Sequence, residues 1–203
     1  MSKKESTESK FARMQQIIQS EAFLSQKGII NEVPFFIFAY EPAEEIAVQT
    51  QTVHLVKSLK TKGVGVLEIN LYDLCVDLIK ERKLWDKLLE MEKGWNKDKF
   101  GNQLKNLIDV SEKLIPEISK RIEAFDNLQV LLLSGVGQIY PFIRTHSVLN
   151  NLQRVAKDYP TLLLFPGEYT FTQGRGQSLD LFGVLNEDKY YRAFNIMEYK
   201  LPS

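Results

Sequence analysis

Hydrophobic and polar positions form distinct blocks along the chain, and the clearest blocks lie in its second half. Residues 128–133 (LQVLLL) are a nearly continuous apolar run, typical of a strand buried on both faces. Residues 134–137 (SGVG) interrupt it, and 138–159 carry apolar residues at helical spacing. A second apolar run follows at 161–165. Two buried strands joined by a helix predict a βαβ unit, and therefore an α/β protein.

The same patterns predict the remaining elements. Polar residues 186–189 are a turn of hairpin length, so the last two strands are predicted to form a C-terminal β-hairpin. We therefore expect a mostly parallel central sheet flanked by helices. In chain order, the other predicted elements are a helix at 10–24, a strand at 33–40, a helix at 43–60, a strand at 64–71, a helix at 73–93, a helical stretch at 102–125 that Pro116 divides or restarts, and strands at 178–185 and 190–196.

Length and spacing also predict the domain organisation and the packing side of several helices. At 203 residues we expect a disordered tail at 1–10 and a single domain at 11–203, with a helical excursion from the sheet at about 73–125. The residues predicted to face the core are Phe11, Met14, Ile17 and Ile18 in the first helix, Ile46, Val53 and Val56 in the second, and Leu78, Trp85, Leu88 and Leu89 in the third.

Composition narrows the possible classes of protein. Lys and Arg number 26 and Asp and Glu also number 26, so the formal net charge is zero. A dedicated nucleic-acid binder usually carries a basic excess, whereas low net charge favours association between proteins. The single cysteine, Cys75, excludes a disulfide within the chain and indicates a reducing cytoplasm. The polar N-terminus precedes no signal-type apolar core, and no apolar run approaches the ~20 residues that span a bilayer.

The junction after the first strand, residues 40–45, is where a nucleotide-binding α/β protein would carry its phosphate-binding loop. Such a loop needs glycines for close backbone approach, and a lysine with Ser or Thr for phosphate and magnesium. The sequence is YEPAEE, which has no glycine or lysine and has three carboxylates that would repel phosphate. We therefore expect a degenerate sheet of the P-loop NTPase type without a phosphate-binding loop, and no nucleotide hydrolysis there.

The second glycine junction is a weaker candidate for an anion site. Gly135 and Gly137 precede the 138–159 helix, and backbone N–H groups at a helix N-terminus can hold phosphate unaided. No lysine completes such a site, and an isolated Gly-x-Gly is more often a tight turn.

Catalytic and metal chemistry have little support in the sequence. His54 and His146 are the two histidines, and together with Cys75 they show no metal-ligand spacing. Cys75 falls beside the packing side of a helix, where a free cysteine is usually inert, and no serine has a Gly-x-Ser-x-Gly context. We expect no catalytic residue, no metal ligand and no cofactor.

Two stretches remain as candidate binding surfaces. Tyr190, Tyr191 and Arg192 suit either base stacking in a single strand or a protein interface, and Arg175 in a nearby glycine loop would add a phosphate contact. The zero net charge favours the protein interface. The other candidate surface is the polar side of the 138–159 helix, which carries Arg144, His146, Asn150 and Asn151. For His146, the alternative is a role in a polar network within the domain.

Four linked segments of the chain together resemble the BrxB family of BREX (bacteriophage exclusion) systems. The segments are SGVGQIYPFIRTHSVLNNL (134–152), LLLFPGEY (162–169), SLDLFG (178–183) and DKYYRAFNI (188–196). The N-terminal half resembles the family in pattern, through FFIFAYEP (35–42) and EINLYDL (68–74), whereas TFTQGRG (170–176) is longer than the family pattern.

The resemblance implies a small, non-catalytic core component of a bacterial defence operon. Such systems methylate host DNA and block replication of unmodified phage, and their core includes the methyltransferase PglX, the ATPase BrxC and the phosphatase-like protein PglZ. We expect an assembly or adaptor subunit that is needed for methylation and restriction, that binds PglZ or BrxC directly, and that contacts DNA at most indirectly. Two alternatives stay open: a nucleic-acid-binding subunit that uses Arg175 and Tyr190, and a degenerate nucleotide-binding domain that uses the turn at 134–138.

Overall fold

A computed structural model describes residues 5–25, 35–172, 176–183, 185–187 and 193–201. Strands and helices alternate through most of these residues. In chain order the elements are α1 (Thr7–Ile18), α2 (Glu21–Leu24), β1 (Phe35–Tyr40), a 3-10 turn (Pro42–Glu44), α3 (Glu45–Thr61), β2 (Val66–Asn70), α4 (Leu71–Glu81), α5 (Trp85–Gly94), α6 (Lys97–Leu107), a π-helical turn (Val110–Leu114), α7 (Ile115–Glu123), β3 (Val130–Ser134), α8 (Val136–Ile139), α9 (Thr145–Leu152), β4 (Thr161–Thr172), β5 (Gly176–Leu181), β6 (Leu185–Glu187), β7 (Ala193–Asn195) and a 3-10 turn (Ile196–Glu198).

The central sheet is parallel, with the strand order β2-β3-β4-β1-β7. Strand β4 is the longest strand described, and it pairs with three other strands. Its first half lies between β3 and β1, and its second half pairs antiparallel with β5, which in turn pairs with β6. The predicted α/β class with a mostly parallel sheet flanked by helices is therefore confirmed.

Alternate residues of the strands pack on opposite faces of the sheet. In β1, Phe36 and Phe38 pack with α1, α2 and α3, whereas Phe35 and Ile37 pack with the helices that follow β2 and β3. The ring of Phe11 in α1 meets that of Phe38 edge-on, with centroids 5.2 Å apart. The result is a three-layer arrangement with the sheet in the middle.

The predicted C-terminal hairpin is wrong in its pairing. Residues 178–185 were expected to be one strand, but Phe182 and Gly183 both adopt positive φ and turn the chain after Leu181. Strand β6 returns along β5, with Leu181 opposite Leu185. Strand β7 pairs in parallel with β1 at the edge of the central sheet instead of with its predicted partner.

Four predicted helices are interrupted, and the first of them, at 10–24, divides into α1 and α2. The 73–93 helix divides into α4 and α5 at Lys83, whose φ of 56° cannot continue a helix. In the 102–125 stretch, Pro116 lies in the first turn of α7, as expected for a residue without an N–H. The 138–159 helix is reduced to α8 and α9, because Pro141 lies two positions after the end of the first of them.

Two expectations for the N-terminal half differ from the structure. Helix α1 begins at Thr7, inside the tail predicted at 1–10, and Ser6 caps it by accepting a hydrogen bond from the Ser9 N–H. The predicted packing side of α3 is wrong at Ile46 and Val53, which are exposed, and correct at Val56, which is buried. The buried side of α3 consists of Val48, Thr52, Leu55, Val56 and Leu59, whereas the packing residues predicted for α1 are all buried.

Candidate functional site

A crevice of about 440 Å³ lies at the carboxyl ends of the parallel strands. Open α/β sheets bind ligands at this edge, so the residues here decide what chemistry the fold supports. The crevice lies between α3, the ends of the strands, and the first turn of α4. Its lining is Tyr40, Glu45, Val48, Gln49, Thr52, Val53, Glu68, Ile69, Asn70, Asp73, Arg121, Ser134, Gly135 and Leu164.

In the turn from β1 into α3, backbone N–H groups form hydrogen bonds with residues of the turn itself. The Glu44 N–H donates to the Glu41 carbonyl over 2.8 Å, and the Glu41 N–H donates to Glu44 Oε2 over 3.4 Å. The next carboxylate, Glu45, accepts a hydrogen bond of 2.6 Å from the Tyr40 hydroxyl. Burial, together with this hydrogen bond and the nearby negative charge, raises the pKa of Tyr40. The tyrosine therefore stays a neutral donor, and the turn offers no cradle for phosphate.

The remaining polar groups of the crevice add to its negative character. Glu68 accepts a hydrogen bond from the Ser134 hydroxyl over 3.2 Å, and Asp73 lies in the first turn of α4. The guanidinium of Arg121 is already paired with Asp77 at 3.2 Å and with Glu117 at 3.3 Å. An anionic ligand would meet several carboxylates and an arginine committed to other partners, so the crevice is unsuited to nucleotide phosphates.

The two glycines of the 134–138 turn are explained by close packing. A Cβ on Gly135, at φ 74°, would lie 2.2 Å from Asn70 Oδ1, the atom that caps α4. A Cβ on Gly137 would lie 2.8 Å from the Pro166 ring and 3.1 Å from the Phe182 ring. Both positions therefore exclude a side chain, and α8 is only a single turn of helix.

The predicted partner-binding residues that the structure describes lie around α9. Arg144 and Asn150 are exposed, and Asn151 donates from Nδ2 to the Ser147 carbonyl over 2.8 Å. His146 is half-buried, and its Nδ1 has no hydrogen-bond partner among the described residues. The other predicted contacts lie outside the described residues: Arg175, Tyr190, Tyr191 and Arg192.

Sequence reasoning missed an apolar groove of about 310 Å³ in the helical excursion. Tyr72 and Leu89 stand at its rim with 44% and 45% of their surface exposed, although Leu89 was predicted to face the core. Trp85, Leu88 and Leu89 have the i, i+3, i+4 spacing of one packing stripe, so the sequence pattern gave no sign that Leu89 is exposed. The groove is lined by Tyr72, Cys75, Val76, Ile79, Trp85, Leu88, Leu89, Glu92, Phe100, Leu104, Ile108, Gln138, Ile139 and Phe142.

Neither the groove nor the crevice shows a reactive centre in the described part of the chain. Burial raises the pKa of the Cys75 thiol to about 12, so the groove holds it in the unreactive protonated form. No cluster of three or more His, Cys, Asp or Glu side chains suited to a metal ion occurs among the described residues. None of the described helices combines the length and the apolar character needed to cross a membrane.

Fold and site define an α/β protein with a parallel sheet, an acidic crevice in place of a phosphate-binding loop, and an apolar groove on its helical excursion. Comparison with known proteins shows which family this is. The model of the BrxB family, described as "BREX protein BrxB", matches residues 67–196, so the chain belongs to that family and is a component of a BREX phage-defence system.

Two curated relatives agree with this assignment. A BREX protein BrxB of Bacillus cereus (strain H3081.97) is 30% identical over 185 residues, covering 89% of this chain and 92% of the relative. A BREX protein BrxB of Escherichia coli O9:H4 (strain HS) is 26% identical over 190 residues, covering 94% of this chain and 91% of the relative. No solved structure matches significantly.

Proposed function

We propose that the chain is a non-catalytic adaptor subunit that holds another BREX protein, PglZ or BrxC, in the apolar groove of its helical excursion. The observation that carries the proposal is the groove itself. Exposed apolar surface rimmed by polar residues is typical of protein interaction sites, and grooves between helices accept the apolar side of a partner helix. All of the groove's lining residues lie within the segment that the family model matches.

The composition of the groove favours a protein partner over a small substrate or a nucleic acid. Glu92 is the one charged side chain in the lining of the groove. Aromatic rings from Tyr72, Trp85, Phe100 and Phe142 also line the groove. Aromatic side chains dominate the binding energy of protein interfaces, whereas a nucleic-acid surface needs basic residues.

The crevice at the strand ends supports the non-catalytic part of the proposal. Its position, beside the helix that follows the first strand, corresponds to a ligand site of open α/β sheets. Its carboxylates and the proline turn make it unfit for phosphate, which is consistent with a degenerate relative of the P-loop NTPase sheets. On this proposal the fold persists as a scaffold and no longer serves as a nucleotide site.

The groove is tested by replacing an exposed residue on its rim. Leu89→Asp should lower the recovery of PglZ or BrxC by at least about tenfold when the tagged chain is purified from cells expressing the intact operon, because binding would bury an unpaired carboxylate. Mass spectrometry of the purified material identifies the partner. The matched control is Leu201→Asp, a leucine that is 44% exposed and does not line the groove.

The same pair of variants tests the role in defence. In the intact operon, Leu89→Asp should reduce both host DNA methylation and phage restriction, whereas Leu201→Asp should leave both unchanged. Unaltered circular dichroism confirms that each variant is folded. Wild-type recovery of every BREX protein with a folded Leu89→Asp variant would rule out the groove as the docking site.

A further inference from the structure

Helix α3 presents apolar residues on both of its sides. One side faces the sheet, and the other carries Ile46, which is 80% exposed, and Val53, which is 63% exposed. These two residues are seven positions apart, so they lie two turns apart along the same stripe of the helix. Before Lys57, the other exposed residues of α3 are small or uncharged: Ala47, Gln49, Thr50 and His54.

The middle of α3 contains no Asp, Glu, Lys or Arg. Residues 46–56 (IAVQTQTVHLV) are uncharged, although 26% of the whole chain is charged. A helix with one side in solvent normally carries charged residues there, because they hold water and prevent association. The exposed side of α3 therefore has the composition of a surface that another molecule covers.

Opposite charges lie at the two ends of this uncharged stretch. Glu44 and Glu45 precede it, where Glu44 also pairs with Lys10 at 3.8 Å and Glu45 accepts a hydrogen bond from Tyr40, and Lys57, Lys60 and Lys62 follow it. A second α3 running in the opposite direction would bring its basic end to the acidic end of the first, and the two helix dipoles would also align favourably. Residues at equal distances from the midpoint near Gln49 and Thr50 would face each other, so Ile46 would meet Val53 of the copy.

We propose that the exposed side of α3 is the interface between two copies of this chain, packed antiparallel about a twofold axis near Gln49 and Thr50. A twofold interface requires a surface that is complementary to itself, and a helix that is acidic at one end, apolar in the middle and basic at the other meets this requirement. A single pair of helices buries less than the about 1,600 Å² of a standard interface, so the dimer dissociates on dilution and weakens in high salt.

Cysteine cross-linking tests the antiparallel geometry. Thr50→Cys places a thiol beside the axis and should form a disulfide-linked dimer under mild oxidation. The matched control is Thr61→Cys: both threonines are exposed on α3, and each donates its hydroxyl to the carbonyl four residues earlier. The native Cys75 is buried and does not compete. In the proposed dimer the two Thr61 positions lie about 35 Å apart at 1.5 Å per residue, so this variant should stay monomeric.

Sedimentation velocity measures the association without any cross-link. The weight-average mass of the wild-type chain should rise with concentration from the monomer value of 23.5 kDa. Ile46→Asp should remain a monomer at every concentration and stay folded, because Ile46 is already largely exposed. Leu89→Asp in the apolar groove should dimerise like the wild type, which separates this interface from the proposed docking groove.

Several outcomes would overturn the second-copy interface. They are a wild-type chain that stays monomeric at high concentration, equal cross-linking of the Thr50→Cys and Thr61→Cys variants, and an Ile46→Asp variant that dimerises normally. If the wild type is a monomer and Ile46→Asp instead loses a BREX protein in co-purification, the side of α3 binds that protein and the proposed dimer is wrong.

Discussion

At the residue scale, Gly135 has a role in packing, although its sequence context suggests a role in anion binding. Gly-x-Gly before a helix suggests a backbone that approaches an anion, but Gly135 instead approaches the amide side chain of Asn70. Asn70 Oδ1 accepts hydrogen bonds from the Tyr72 and Asp73 N–H groups over 2.9 and 3.3 Å, which caps α4. The glycine therefore links the end of β3 to the start of α4, the helix that forms one wall of the groove.

We expect Gly135→Ala to lower the free energy of unfolding by about 2–3 kcal/mol, through the strain of positive φ and the displaced Asn70 cap. The control is Gly63→Ala, where φ is 82° and no heavy atom lies within 4 Å of the added Cβ. That variant should lose only the strain, about 1 kcal/mol. Urea unfolding measures both.

A double-mutant cycle separates the two contributions at Gly135. In an Asn70→Ala background the clash is absent, so Gly135→Ala should cost about as much as Gly63→Ala. Equal costs of Gly135→Ala in both backgrounds would show that the contact with Asn70 does not contribute.

The sequence pattern predicted the buried side chains of some helices and not of others. The apolar residues of α1 were predicted correctly because the opposite side of that helix is polar, which leaves one possible packing side. In α3, Ile46 and Val53 compete with Val48 and Leu55, and spacing alone cannot rank two apolar sides. The misassigned residues are those that later define the proposed dimer interface.

At the element scale, the predicted helices were correct in type, and the 43–60 helix, observed as α3, was also close in length, but the others are interrupted. Periodicity continues across Lys83 and Pro141, so a pattern of apolar residues gives no sign that the helix ends. Lys83 in particular has φ 56°, a conformation that favours glycine, while its N–H donates to the Lys80 carbonyl over 2.8 Å. The break between α4 and α5 therefore depends on a lysine in a left-handed conformation that lysine does not favour.

Lys83→Gly should stabilise the protein by about 0.5–1 kcal/mol, because glycine removes the penalty of the left-handed conformation. The neighbouring Arg82→Gly is the control: Arg82 has φ −81°, so glycine there should destabilise through chain entropy alone. Thermal unfolding followed by circular dichroism would show opposite shifts of the two midpoints. Shifts of the same sign would contradict this account of the break.

At the scale of the whole molecule, charge is balanced overall and unevenly placed. The formal net charge is zero, yet Glu45, Glu68 and Asp73 line the crevice where an α/β sheet would hold a phosphate. Exposed apolar side chains include Tyr72 and Leu89 at the groove and Ile46 and Val53 on α3, and Val53 also lines the crevice. Under the proposed function, these apolar surfaces are where other proteins bind.

Magnesium–ATP should therefore leave the thermal midpoint unchanged. A ligand present at about 100 times its dissociation constant would add ~2.7 kcal/mol to the free energy of unfolding, which would raise the midpoint by several degrees. Differential scanning fluorimetry with ATP or GTP in the presence of magnesium measures this directly. A clear rise would revive the degenerate nucleotide-binding domain that uses the 134–138 turn.

For the whole molecule, the parallel sheet could be predicted from the sequence, whereas some contacts between distant segments could not. Local apolar runs predicted the parallel sheet, because buried strands are recognisable from a few residues. The pairing of β7 with β1 joins segments at opposite ends of the chain, so no local pattern shows it. The groove likewise forms only when α4, α5, α6 and the 138–142 segment come together.

The position of β1 has a consequence for how the chain is made. Phe35 pairs with Thr161 on one side and with Ala193 on the other, so the ribosome releases β1 long before either neighbour exists. During that interval FFIFAY is an uncharged, aggregation-prone strand, covered on one face by α1 and α3, which are synthesised close to it. The yield of folded protein in cells should therefore depend on translation speed between these segments and on chaperones that shelter the nascent strand.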